Sequence, residues 1–390
     1  MIIVIADDFT GSAEMAGIGL RYGYSIRLQT DFEISRDVDM VVIDTDTRSA
    51  GEQQARTVLT KLSEDCRLHK DDLIYKKCDS VLRGHVIAEL EELMNGFGYD
   101  KALLLPANPS LGKTISSGKY FINGHELPLT EFANDPEFPA ATADVLAILG
   151  QSDSLEVTSA APGDMISDQG IFVADATNLE DVKFWAIEVD GDTIPTGAAD
   201  YFKAILDQLR TMGAQAPEPK YEYKLTEKTL IVLGSSSQIS KKTAENLRDT
   251  CPAFVPLTCD VTSPDLFTKA SLMPWIFAAD EAVKLHGYAF VAIDQPVHFA
   301  DGVAARLVEL MALLVECVIE ANDIENLVIE GGATASSVLR QLGYKHFKPV
   351  ENIASGVIAL HELDTSISII TKVGSYPWPD GLLPIAKRNS

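Results

Sequence analysis

A chain of 390 residues carrying a net charge of −25 is too long for one ordinary core and too acidic to be drawn to a phosphate backbone, so two or three domains are expected and nucleic acid is not an expected partner. Against that field, any small anion has to be held by a local cluster of cations. The hydrophobic fraction of 46% is ordinary for a globular protein, no stretch is long and apolar enough to span a bilayer, and the opening residues read as a structural strand rather than a signal peptide.

In chain order, residues 1–6 (MIIVIA) predict a buried strand that runs straight into Asp7 and Asp8, followed by Thr10, Gly11 and a helix over 12–22. Residues 40–43 (MVVI) predict a second strand, ending in DTDTRS at 44–49, with a helix over 51–64. A third, 73–75, ends in KKCDSVLRG at 76–84 and precedes a helix over 86–97; a fourth, 102–105, ends in PANPS. Strand, loop and helix in repetition predict a parallel sheet with helical crossovers. Residues 112–139, rich in Gly, Pro, Asn and Asp, break the rhythm and read as an extended excursion or a short hairpin. Two prolines, Gly213 and alternating charges mark a linker at about 213–224, which separates a domain over 1–212 from one over 225–390. The pattern then restarts. Strands at 229–233, 288–293, 326–329 and 366–371 are expected, with GSSS, EGGAT and KVG at the ends of three of them and a helix from about 240. The apolar stretch 307–319 reads as a buried helix. The expected fold is therefore α/β, with two domains, each a mostly parallel sheet flanked by helices. Five scattered cysteines without a CxxC pair, and seven histidines without HExxH spacing, speak for a reducing, cytoplasmic setting and against a disulfide framework or a structural zinc.

Ligands of α/β proteins collect at the carboxyl ends of parallel strands. Asp7 and Asp8 sit at such an end. One acid there can simply cap the next helix, but two crowd the turn at an electrostatic cost. Arg48, Lys76, Lys77, Asp79 and Arg83 also follow predicted strands, so they are expected to meet the two acids at one sheet edge and form an anion site, Arg supplying a planar fork and Lys a mobile point charge. ANPSLGKT at 107–114 nominally fits a P-loop, but 115–124 is a poor helix and Pro109 removes a loop donor; Lys113 stays a candidate ligand contact without being a Walker lysine. In the second half, Gly331, Gly332 and Thr334, the serine turn at 234–237 and Gly374 give three glycine-bearing strand ends, which suit phosphate. GxGxxG is absent, so a Rossmann site has no fingerprint.

Taken together, ADDFTGSAEMAG, DTDTRS, KKCDSVLRG, PANPSLGKT with its continuation GKYFINGHELPLTEFANDPEFP, GSSS, GGATAS and KVG resemble the four-carbon acid sugar kinase family, in order and over nearly the whole chain. Members act on threonate, erythronate or 3-oxo-tetronates. The resemblance implies a first domain that binds the acid sugar through Asp8, Arg48, Lys76, Lys77, Cys78, Asp79 and Arg83, with Asp8 or Asp79 as the catalytic carboxylate. It implies a second domain that binds ATP through Ser235, Ser237, Gly331, Gly332, Ala333, Thr334 and Gly374. Mg²⁺ would bridge the ATP phosphates, with Asp7 or Glu330 as candidates for its waters, and domain closure would bring the reactants together. Departures from the family pattern are Glu14, Val81, His85, Lys113 and Val373, so no particular sugar acid is singled out. A sensor of sugar acid and nucleotide, or a dehydrogenase or aldolase on similar acids, is the alternative. A homo-oligomer stays open.

Overall fold

The computed structural model describes residues 1–135, 137–152, 154–210, 225, 228–235, 237–258, 268–293 and 303–384; the expected linker at 213–224 lies outside them. The chain divides into two compact units, Met1–Pro217 and Glu218–Ser390.

The first unit runs β1 (Ile2–Ala6), α1 (Phe9–Arg21), β2 (Ile26–Gln29), β3 (Met40–Asp44), α2 (Glu52–Asp65), β4 (Leu73–Lys77), α3 (Val86–Phe97) and β5 (Lys101–Leu105). A small antiparallel sheet follows: β6 (Lys113–Ser116), β7 (Lys119–Ile122) and β8 (His125–Glu126). Then come α4 (Val145–Leu149), β9 (Val157–Ala160), β10 (Gly170–Ala174), α5 (Leu179–Ile187), β11 (Thr193–Gly197) and α6 (Ala199–Arg210). The main sheet has the order β2-β3-β1-β4-β11-β5-β10-β9, and every neighbouring pair is parallel. Its central strands are apolar without alternation because helices cover both faces. Successive side chains of β4 show the two layers. Tyr75 donates to the carbonyl of Ala198 and packs on Phe202 of α6, whereas Lys76 meets Glu89 of α3 on the other face. The excursion predicted at 112–139 is thus a three-stranded sheet followed by 3₁₀ turns at Leu127–Leu129 and Glu131–Asn134.

The second unit contains β12 (Thr229–Leu233), α7 (Gln238–Thr250), β13 (Phe254–Leu257), α8 (Lys269–His286), β14 (Tyr288–Ile293), α9 (Val303–Ala321), β15 (Asn326–Glu330), α10 (Gly332–Gln341), β16 (His346–Ala354), β17 (Val357–Glu362) and β18 (Ser368–Lys372). Strands β13-β14-β12-β15-β18 are parallel, and β17 and β16 extend the sheet antiparallel. Ile231, Leu247, Phe290, Val328 and Ile370 lie in its core. Along α9, Leu307, Leu310, Met311, Leu314, Val315 and Val318 are buried, the stripe expected of the apolar run at 307–319. No described helix is long and apolar enough to cross a membrane.

Both sheets bring their functional loops out in register. In the first unit Ala6 lies opposite Asp44 on one side and Lys77 on the other, so the loops after β1, β3 and β4 leave side by side. In the second, Leu233 lies opposite Glu330, and Glu330 opposite Lys372. At the first edge, β11 and β5 approach so closely that a Cβ on Gly197 would stand 2.1 Å from the Leu105 carbonyl oxygen. Backbone in a neighbouring strand cannot yield as a side-chain tip does. Gly197→Ala is therefore expected to destabilise the protein by about 1–3 kcal/mol through overpacking, read in thermal denaturation as a melting temperature several degrees lower; an unchanged melt would contradict this.

Candidate active site

Strand β1 ends at Ala6, and Asp7 and Asp8 fill the turn into α1. Asp8 is the N-cap: its Oδ1 accepts from the Gly11 amide at 3.0 Å and its Oδ2 from the Thr10 hydroxyl at 2.6 Å. The capping reading and the site reading of this acid both hold, because the same carboxylate also accepts from Arg48 Nη2 at 2.7 Å. The loop after β3 carries Arg48. It is laid on the end of β1 by backbone bonds from Thr47 and Arg48 to the Asp7 carbonyl. Arg48 forks onto Asp7, Nε to Oδ2 at 2.9 Å and Nη2 to Oδ1 at 2.8 Å. Burial would push the Asp7 carboxyl up, but Arg48, reinforced by Lys76 and Lys77, outweighs it and holds the group below the usual carboxylate range.

The loop after β4 supplies the rest. Asp79 accepts from Arg83 through Nε at 3.0 Å and Nη2 at 2.9 Å, and from the amides of Val81 and Arg83. Burial opposes its ionisation, yet Arg83 and Arg48 keep the carboxyl well below the ordinary value. Leu82 adopts a left-handed φ of 66°, a strained conformation for a bulky side chain that marks this turn as held by its surroundings. Burial pushes the Cys78 thiol up to about 12, so it offers no thiolate; its carbonyl instead accepts from Lys77 Nζ at 2.5 Å.

The expected four-cation cluster is not what the strand delivers. Lys76 and Lys77 are neighbours in sequence and therefore point to opposite faces of β4. Lys76 is fully buried and paired with Glu89 at 2.5 Å, so it does not join Lys77 in gripping one anion. Glu89 also accepts from Thr47 at 2.6 Å, so this pair braces the Arg48 loop from beneath. Arg48 and Arg83 are engaged by Asp7, Asp8 and Asp79, and Arg83 also meets Asp135 at 3.0 Å. Lys77 differs: it is 4% exposed and forms no ion pair among the described residues. A Cβ on Gly11 would lie 2.6 Å from Asp8 Oδ1 and 3.5 Å from Lys77 Nζ, so a carboxylate and an ammonium converge on a position in the first turn of α1 that lacks a side chain.

Lys113 joins this side through a 2.7 Å hydrogen bond to Ser80. Burial, with Arg83 and Lys77 nearby, draws its pKa below the lysine norm against Asp79 and Glu14. The Phe132 ring, in the second 3₁₀ turn, lies 5.8 Å from both Arg83 and Lys113, and Tyr120 donates to the Ser80 carbonyl. Sequence reasoning left out Phe132, Asp135 and Glu89. The first two sit in an irregular excursion with no periodicity to read, and Glu89 is one of several acids on a helix.

In the second unit the three glycine-bearing turns meet. The Ser237 hydroxyl caps α7 and donates to the Gly374 carbonyl at 2.7 Å, and Ser235 Oγ accepts from the Ser237 amide. Gly331 has a φ of 101°, which only glycine adopts readily, and the helix α10 opens directly at Gly332 with Ala333 and Thr334 in its first turn. A Cβ on Gly374 would stand 2.1 Å from Ser235 Oγ, and one on Gly234 would meet Thr334 at the same distance, so glycine is what allows these turns to close on one another. Unpaired amides at a helix start beside small residues are suited to phosphate. Ser236 lies outside the described residues. Among these, no group of three His, Cys, Asp or Glu side chains could hold a metal ion. Asp7 is bound to Arg48 and Glu330 to Lys372, so neither fits the water-holding role considered for Mg²⁺.

Comparison with known proteins follows the same division. Residues 2–187 match a sugar-binding N-terminal domain and residues 230–376 a nucleotide-binding C-terminal domain. The class is therefore that of two-domain α/β proteins in which a sugar-binding unit precedes a nucleotide-binding one. Within it, the chain belongs to the four-carbon acid sugar kinase family. It is 25% identical to the D-threonate kinase of Salmonella typhimurium over 96% of this chain and 95% of that one. Identity to the 3-oxo-tetronate kinase of Brucella melitensis is 26%, over 96% and 92%. The crystal structure of a Haemophilus influenzae protein shares the fold, with a TM-score of 0.63 at 21% identity over 95% of this chain and 96% of that one.

Asp44, the last residue of β3, is a buried carboxyl whose pKa is raised well above normal by burial and by Asp46, Asp8 and Asp7. An acid with a higher pKa folded than unfolded stabilises the fold only while protonated, so stability is lost as pH rises from about 3.9, the unfolded value, through the folded one. Asp44→Asn is expected to raise the melting temperature above that of the unaltered protein at neutral and alkaline pH, with the gain shrinking towards about pH 4. A gain independent of pH would remove Asp44 as its source.

Proposed function

We propose that this protein transfers the γ-phosphoryl group of ATP to a hydroxyl of a four-carbon sugar acid such as a threonate, an erythronate or a 3-oxo-tetronate. The observation that carries the reading is the convergence of Asp8 and Lys77 on Gly11. A buried ammonium that forms no ion pair among the described residues calls for an anion, and a carboxylate beside it calls for a hydroxyl. A small hydroxy acid offers both groups a few ångströms apart.

In this reading Lys77 takes the substrate carboxylate, with Lys113 and the outer guanidinium of Arg83 at its flank. Cys78 contributes its backbone carbonyl, which orients Lys77. Asp8 orients the attacking hydroxyl and takes its proton late. Asp79 is the weaker candidate for that role: both its oxygens are held by Arg83 and its carboxyl is strongly acidic. Arg48 keeps Asp7 and Asp8 in place and spreads positive charge over the site. ATP lays its phosphates on the amides of Gly331, Gly332, Ala333 and Thr334, with Ser235, Ser237 and Gly374 closing around them. Mg²⁺ would be carried by the phosphates of ATP, where it would neutralise their charge; among the described residues no group of three carboxylate, histidine or cysteine side chains could hold it. As the hydroxyl oxygen bonds to the γ-phosphorus, the bridge to the β-phosphate breaks, ADP leaves and the proton passes to Asp8. In so loose a transition state, alignment and charge do most of the catalysis.

ADP release in the presence of ATP, Mg²⁺ and a panel of four-carbon acids tests the reading, and no turnover with any of them would end it. Lys77→Met is expected to raise KM for the acid by about 10–100-fold, the loss of a hydrogen-bonded charge pair, while KM for ATP stays nearly constant. Asp8→Asn should lower kcat by about 10²–10⁴-fold with little change in either KM; unaltered turnover would take Asp8 out of the chemistry.

A further inference from the structure

The second unit hides an ion pair that the proposed chemistry leaves idle. Lys372 ends β18 and Glu330 ends β15, both side chains are fully buried, and Nζ lies 2.7 Å from Oε1. Burying two charges is seldom net stabilising against an apolar pair of equal volume, so such a pair suggests a role in geometry. Here its bonds run to the turn after β18 and to the start of α7, the helix that follows the serine turn. Lys372 Nζ donates to the Val373 carbonyl at 3.0 Å and stands 3.5 Å from that of Gly374. Glu330 Oε2 accepts from Ser240 of α7 at 2.5 Å. Gly374 O accepts from Ser237 Oγ, the cap of the same helix. Backbone bonds complete the frame, from Gly331 N to Lys372 O at 2.9 Å and from Gly234 N to Glu330 O at 3.1 Å. The Trp378 ring, 4.9 Å from Nζ, covers the ammonium on a further side.

All three directions in which this ammonium can donate are taken by protein oxygens, so it has nothing left to offer a phosphate. We propose that Lys372 and Glu330 are positioning residues that lock the turns after β12, β15 and β18 into the arrangement that binds the nucleotide's phosphates, without touching the nucleotide. This rests on the assignment of ATP to the second unit. It predicts a loss confined to ligands that carry phosphates, because the frame sets where main-chain amides point and contributes nothing to a base or a sugar.

The test is Lys372→Met combined with Glu330→Gln, which removes both charges and keeps the volumes. In the full-length protein, calorimetric dissociation constants for ATP and ADP are expected to rise at least about tenfold, while those for adenosine and the sugar acid change less than about twofold. The rise should appear in KM for ATP and leave KM for the acid unmoved. ATP affinity equal to that of the unaltered protein, in a variant with unchanged circular dichroism, overturns the proposal, as does an equal loss for adenosine. Should the double variant fail to fold, Ser240→Ala severs only the outer arm of the frame and is expected to weaken ATP about threefold; no weakening overturns the proposal. Unaltered protein that binds no ATP at all would instead overturn the nucleotide assignment itself.

Discussion

Parallel strands share one exit edge, and this constraint organises both units. Because β1, β3 and β4 are in register, their carboxyl ends are neighbours whatever their distance in sequence: Asp8 and Arg48, from the loops after β1 and β3, are hydrogen-bonded at 2.7 Å, and Lys77, the last residue of β4, approaches Gly11 beside Asp8. The same constraint gathers the turns after β12, β15 and β18. The sheets are ordinary doubly covered scaffolds. What is particular to this protein is the choice of charges at one edge and of glycines at the other.

The acidic composition gives the first edge its character. In a chain of net charge −25 most cations are expected to find carboxylates close by, and at this edge they do: Arg48 with Asp7 and Asp8, Arg83 with Asp79 and Asp135, Lys76 with Glu89. These pairs fix geometry and neutralise one another. Lys77 stands apart: it is buried and forms no ion pair among the described residues, and under the proposed function it is this residual charge, rather than a large positive patch, that receives the substrate's carboxylate.

Much of this was legible in the sequence because buried parallel strands are unbroken apolar runs that end abruptly in charge, as at residues 2–6, 40–44 and 73–77. The glycine turns were legible for the same reason. Strand β11 was not, since TIPTG places Pro195 inside a central strand, where a missing amide ordinarily argues against one. Strand β16 was obscured by Lys348, Pro349 and Glu351 on an antiparallel flank. Adjacent lysines in text suggested a pair, whereas the two-residue period of a strand separates them. The partners Glu89, Ser240 and Phe132 were invisible because nothing local distinguishes them; only tertiary packing brings each to its place.

The excursion after β5 stands apart from the main sheet, yet Phe132 and Asp135 reach back from it to Lys113 and Arg83. The scaffold and part of the rim around these cations are thus different pieces of chain. Substitution of Phe132 or Asp135 would therefore change the neighbours of the two cations directly. The appendage is itself moored to the end of β10, where Ile115 pairs with Ala176 and the Gly118 amide donates to Asp175, so the surroundings of these cations are tied to two different strand ends at once.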